Sequence, residues 1–245
     1  MTMKRNNNPA VQFKQCSSAA FTLVELLLAI SLLSAVVAVA YSALSGMIRT
    51  KIVVEDKRES RQIANSVLTR LSRELQLAYP NIPRLPPRDN ITHRFHSSQN
   101  LLGERQALAG GLPGDSITFV ALEAGQYMGE REHSAGTVQI SYYLTETPDG
   151  MRYQEHPAYT LVREEIPYIR PFEEAYEQVI VFPIVDRILS LEFRYFDGKN
   201  LQWVDSWGAE NQQGLPDIIE FTLQLLSEEG LVDTYTTSVP LRAAR

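Results

Sequence analysis

The sequence predicts an α+β fold in which a long N-terminal transmembrane helix packs its distal half on a mostly antiparallel β-sheet domain. Three observations carry that prediction. Leu26 to Ile48 holds no charged side chain, a length that spans the bilayer's apolar core of roughly 30 Å as a helix. Ile63, Val67, Leu71 and Leu75 then recur at helical spacing, so a stripe on the same helix needs a surface to cover. From Ser116 onward, short β-branched and aromatic runs are separated by turn signals.

The first element is FTLVELLLAISLLSAVVAVAYSALSGMI, Phe21 to Ile48. Leu and Ala dominate it and no proline interrupts it, so every interior backbone group is satisfied inside the helix where lipid offers no partner. A secretory signal's apolar region is usually about 7 to 15 residues, shorter than this run. Glu25 breaks the pattern, because a carboxylate at the bilayer edge is costly unless it finds a partner or stays at the interface. A cut between Ala20 and Phe21 would put the new Phe21 amine one turn from Glu25, or opposite Glu25 of a neighbouring subunit.

Lys51 to Ser60 is rich in charge, with Lys51, Glu55, Asp56, Lys57, Arg58 and Glu59, and suits a stem crossing water. The stripe follows, with Ala64, Leu68 and Ala78 beside it, and Pro80 stops the helix while turning Tyr79 away from helical geometry. Arg70 and Glu74 sit at i,i+4, a spacing that contributes only a few tenths of a kcal/mol. Pro80 to Pro87 reads as a stiff connector, and Asp89 to Gly114 as loops with a Gly-Gly-Leu-Pro-Gly break. Strands are expected over Ser116 to Leu122, Thr137 to Leu144, Tyr159 to Glu165, Ile188 to Phe196, Leu201 to Val204, Asp217 to Leu226 and Leu231 to Val239. Pro148-Asp149-Gly150, Asp197-Gly198 and Glu228-Glu229-Gly230 mark hairpins.

The 245 residues are 44% hydrophobic and 21% charged, which fits one folded domain on an anchor. Net charge is −6. Met1 to Ala20 carries Lys4, Arg5 and Lys14 and no acid, so a chain without it is more acidic still and a poor partner for nucleic acid. The lone cysteine, Cys16, excludes a disulfide framework, and the residues before it lack the apolar run a lipoprotein signal needs. Basic residues flank the apolar run on both sides, Lys4, Arg5 and Lys14 before it and Arg49, Lys51, Lys57, Arg58 and Arg61 after it, so charge alone does not orient it.

No catalytic constellation is present. His93 and His96, and the pair Glu132-His133, lack the further ligands of a zinc site. Glu164-Glu165, Glu173-Glu174 and Glu228-Glu229 lack a loop of alternating oxygen ligands for calcium. No cofactor or metal site is therefore expected. Tyr195, Trp203 and Trp207 read either as packed residues at strand ends or as an aromatic interface patch.

Ala20 followed by Phe21-Thr22-Leu23-Val24-Glu25 and an apolar run resembles the processing site of type IV prepilins and of the pseudopilins of type II secretion. Farther on, LEFRYFDGKNLQWVDSWG (Leu191 to Gly208), GLPDIIEFTLQL (Gly214 to Leu225) and the stem SRELQLAYP resemble the J-type minor pseudopilins. That resemblance implies a pilin-like fold: a leader over 1–20, an assembly helix over 21–48, a stem helix over 49–79 and a periplasmic β-rich domain over 80–245. It implies prepilin peptidase cleavage between Ala20 and Phe21, N-methylation of Phe21 and subunit docking through Glu25. The residue before the cut is usually Gly, and here it is Ala20.

As partners the resemblance implies the I- and K-type minor pseudopilins, the major pseudopilin, the prepilin peptidase and membrane lipid. The protein would sit in the inner membrane as a single-pass, non-enzymatic subunit of a pseudopilus tip that helps export folded proteins. Two alternatives stand beside it on the residues alone. One is a minor pilin of a type IV pilus, serving assembly, adhesion or DNA uptake; the other is a membrane-anchored enzyme or receptor domain.

Overall fold

The computed structural model describes residues 21–80, 100–122, 137–147, 152–153, 156–167, 177–208, 212, 214–227 and 230–241. By its internal contacts the chain forms two units, the first ending at Ile52 and the second beginning at Val53. One helix, α1 (Leu23–Gln76), contributes residues to both.

In the first unit α1 begins after Thr22, whose carbonyl and hydroxyl both accept the Glu25 N–H, at 3.1 and 3.3 Å. Thr22 is thus the N-cap, which is why the helix starts there and not at Phe21. Side chains from Phe21 to Leu44 are exposed all round. The helix is long and apolar enough to cross a membrane, and none of its most apolar stretch is buried within the chain.

In the second unit Asp56, Ser60, Ala64, Val67, Leu71, Glu74 and Leu75 form the buried face of α1. The helix closes at Gln76, short of the expected Tyr79, because the next residues are drawn into the sheet. Ala78 bridges Ala121, Tyr79 N–H donates to the Val120 carbonyl and Leu122 N–H to the Leu77 carbonyl.

The strands are β1 (Leu101–Glu104), β2 (Ser116–Ala121), β3 (Val138–Glu146), β4 (Arg152–Tyr153), β5 (His156–Pro157), β6 (Tyr159–Pro167), β7 (Ile180–Asp197), β8 (Gln202–Val204), β9 (Ile218–Leu226) and β10 (Val232–Pro240). All strand pairs are antiparallel, in the order β1-β2-β3-β6-β7-β9-β10, with β8 also on β7 and β4-β5 as a separate small ribbon. β9 shows how the sequence specifies its face. Ile219, Phe221, Leu223 and Leu225 point into the core while Glu220, Thr222 and Gln224 alternate away from it. With Ala64, Val67, Leu71 and Leu75 of α1 they belong to one core that also takes in Ile117, Phe119, Ile140, Phe193 and Tyr195. Burial stabilises each large apolar side chain by about 1.5–3 kcal/mol.

Two elements depart from the expected strands. β7 begins at Ile180, well before Ile188, and passes through Pro183. Its first part pairs only with β6, up to Ile188, and its second part with β9, from Ile188 onward. Pro183 therefore lies where β7 has a single strand neighbour, a position that tolerates a missing N–H. Arg187, at φ 68°, marks the irregularity between the two halves. β1 falls in the stretch expected as loops. Its Gly103 exchanges two backbone hydrogen bonds with Trp207, at 2.9 and 3.0 Å, which joins the β1 edge to the segment after β8. A Cβ at Gly103 would overlap the Tyr195 phenol, so this position requires glycine.

Candidate assembly interface

Along the exposed apolar helix, the polar side chains bond back to the backbone. Ser31, Ser34 and Ser42 donate to the carbonyls of Leu28, Ser31 and Val39, and Thr50 to that of Gly46, all within 3.0 Å. Their hydroxyls thus present little unsatisfied polarity to lipid or to another helix. Ala29, Ala35, Ala38 and Ala40 add small surfaces for close approach. Phe21 is exposed at the end of this surface, and Ala20 lies outside the described residues. Glu25 is exposed too, and among the described residues its carboxylate has no hydrogen-bond or ion-pair partner.

A second group ties α1 to the sheet. Glu74 is on the buried face, and the Arg163 Nε donates to both its carboxylate oxygens at 3.1 and 3.0 Å. Arg163 Nη1 donates to Glu165 at 2.6 Å, and the Tyr142 hydroxyl donates to Glu74 at 2.7 Å. The register explains the convergence: Tyr142 lies opposite Arg163 on paired β3 and β6, and Glu165 is two residues along β6 on the same face. Arg163 has no exposed side-chain surface. Burial works against its charge, but the Glu165 and Glu74 carboxylates outweigh that and raise its pKa. Burial, then the negative charge of Glu74, pushes the Tyr142 hydroxyl well above the ordinary phenol value. The expected Arg70–Glu74 contact is present at 3.4 Å, at the rim of this cluster.

The cluster was not anticipated from sequence, although a signal for it exists. Ser60, Ala64, Val67, Leu71, Glu74 and Ala78 follow alternating steps of four and three, so a carboxylate falls on the core-facing seam. Arg187 makes a second link to the helix, donating to Glu59 at 2.9 Å.

The aromatic trio divides. Tyr195 and Trp207 are in the core, the Trp207 indole N–H donating to the Gly214 carbonyl at 3.0 Å, whereas Trp203 is 38% exposed under the Arg194 guanidinium. Of the acidic pairs, Glu165 is engaged by Arg163 and Glu164 accepts the Tyr143 hydroxyl at 3.4 Å. His93, His96, Glu132, His133, Glu173, Glu174, Glu228 and Glu229 lie outside the described residues. Among the described residues, no group of three or more His, Cys, Asp or Glu is arranged to hold a metal ion.

No curated protein matches the sequence. Among solved structures, a chain of the GspK-GspI-GspJ complex from the enterotoxigenic Escherichia coli type 2 secretion system is similar. It is 16% identical with a TM-score of 0.47, over 75% of this chain and 98% of that one. The prokaryotic N-terminal methylation motif matches residues 16–41. The model for type II secretion system protein J matches residues 42–236, most of the sequence, and the chain belongs to that family, the J-type minor pseudopilins.

Proposed function

We propose that this minor pseudopilin is a structural, non-enzymatic subunit of the pseudopilus tip, held in the inner membrane by α1 until it is drawn into the assembly. Prepilin peptidase cuts between Ala20 and Phe21 and Phe21 is then N-methylated. The domain after the stem lies in the periplasm and contacts the I- and K-type minor pseudopilins, and the apolar helix packs among pilin-like helices, including those of the major pseudopilin.

The observation that carries this reading is Glu25: a carboxylate without a described partner, at the start of an all-round apolar helix surface, within a matched methylation motif. Docking onto the N-terminal amine of a neighbouring subunit would neutralise it. No cofactor enters this role.

Crosslinking of native-host membranes followed by mass spectrometry tests it. The expected result is crosslinks to I- and K-type subunits and a methylated peptide that begins at Phe21. Crosslinks to a major pilin of a type IV pilus instead, or an intact leader on a chain with no pilin-like neighbour, would overturn it.

A further inference from the structure

Where α1 starts decides how the backbone next to the proposed cleavage point is held. The Thr22 carbonyl accepts the N–H groups of Glu25 and Leu26, at 3.1 and 3.2 Å, and the Thr22 hydroxyl accepts the Glu25 N–H as well, at 3.3 Å. Phe21 lies just outside, exposed and non-helical, and among the described residues no backbone N–H donates to its carbonyl. The Glu25 N–H is the donor that this carbonyl would need for the helix to lengthen by one residue, and Thr22 holds it with two oxygens.

The neighbouring sequence gives the helix no other reason to stop. Ala19 and Ala20 are of the strongest helix-forming type, and no glycine or proline occurs between Pro9 and Gly46. Growth by one further residue would tie the Ala20 carbonyl to the Val24 N–H. That carbonyl is the one a peptidase must attack. Hydrolysis adds water across the Ala20–Phe21 amide, leaving a carboxylate on Ala20 and an amine on Phe21. An enzyme grips an extended substrate through main-chain hydrogen bonds, and a helical backbone has already used those groups.

We infer that Thr22 is a positioning residue for leader removal: its cap on the Glu25 N–H keeps the helix from growing into the Ala20–Phe21 bond, which therefore reaches the peptidase extended. This rests on the cleavage proposed above and adds the residue that controls it. Thr22 acts through the backbone, so its oxygen matters and its shape does not. Valine matches threonine in shape but has no oxygen, whereas asparagine differs in shape and caps at least as well.

The test follows leader removal from the full-length chain by pulse-labelling in native-host cells, with the cut placed by mass spectrometry of the N-terminal peptide. Thr22→Val is expected to slow removal by about threefold to fivefold, the population shift that loss of an N-cap produces. Thr22→Ser and Thr22→Asn are expected to stay within about twofold of the unsubstituted chain. Ala20→Gly disfavours helix growth through this position by itself, so Thr22→Val is expected to lose its effect in that background. Unchanged removal in Thr22→Val, equal slowing in Thr22→Asn, or an undiminished Thr22→Val effect beside Ala20→Gly would each overturn the inference alone. An unsubstituted chain that is not cut between Ala20 and Phe21 would overturn the cleavage and this inference with it.

Discussion

Arg163→Met separates the charge of the buried cluster from its shape. The substitution keeps much of the side-chain volume but leaves Glu74 and Glu165, with side chains only 7% and 2% exposed, without their buried cation. Removing one member of a buried ion pair costs about 3–5 kcal/mol, because the remaining charge has lost its solvent and its partner. Arg163 serves two carboxylates, so the upper end of that range applies. For a domain of about 150–250 residues, each kcal/mol lowers the melting temperature by about 2–4 °C, so a loss of about 5 kcal/mol predicts a drop of about 10–20 °C. The assay is thermal unfolding of the full-length chain in detergent, followed by fluorescence of buried Trp207. The triple variant Arg163→Met, Glu74→Gln, Glu165→Gln removes the charges together and is expected to recover most of the loss, since neutral replacements of similar volume are often tolerated. A loss under about 1 kcal/mol in the single variant, or a triple variant less stable than the single, would refute this account of the cluster.

Glu25→Ala is expected to leave the melting temperature unchanged and to cut incorporation into pseudopili severely, measured by shearing and immunoblotting; normal incorporation would remove Glu25 from docking. Gly103→Ala is expected to destabilise by about 1–3 kcal/mol through overlap with the Tyr195 ring, read from denaturant midpoints. Tyr195→Phe is expected to be neutral or stabilising by about 1 kcal/mol, because the buried Tyr195 hydroxyl has no hydrogen-bond partner among the described residues; a large loss would reveal a partner. Burial raises Asp197, but the Asn200 amide and the backbone N–H groups of Lys199 and Asn200 together outweigh this and hold it below its ordinary 3.8. Its folded pKa being depressed, it contributes stability above pH 3.8 that is lost as the pH falls through the lower folded value. Asp197→Asn is accordingly expected to flatten the stability profile in that acid window, measured by melting temperature against pH.

What could be read from sequence was whatever repeats. The uncharged run to Ile48, the stripe of Ile63, Val67, Leu71 and Leu75, and the alternation of Ile219, Phe221, Leu223 and Leu225 each repeat at their element's own period, so helix and strands could be assigned. β1 was missed because Leu101-Leu102-Gly103-Glu104 is too short to show a period and is held by Trp207, more than a hundred residues away. Pro183 hid the first half of β7, since a proline argues against a strand unless its neighbours across the sheet are known. The Arg163 cluster was missed for a related reason. A carboxylate on a helix seam and an arginine in a strand are each unremarkable, and only the pairing of β3 with β6 brings Tyr142, Arg163 and Glu165 to Glu74.

The two carboxylates of α1 that interrupt apolar patterns, Glu25 and Glu74, receive opposite treatment. Glu74 is buried, and its oxygens are taken up by Arg163 and Tyr142 of the same chain. Its energy is therefore spent within the fold and reaches function only by fixing the register of the helix against the sheet. Glu25 is exposed within an apolar surface and has no partner among the described residues. An apolar helix intended only as an anchor has no use for such a charge, since any neutral residue would insert at lower cost. Under the docking role proposed for Glu25, a carboxylate that stays costly until a neighbouring amine arrives would favour the assembled state over the stored one, and would specify axial position along the helix, which uniform apolar packing does not.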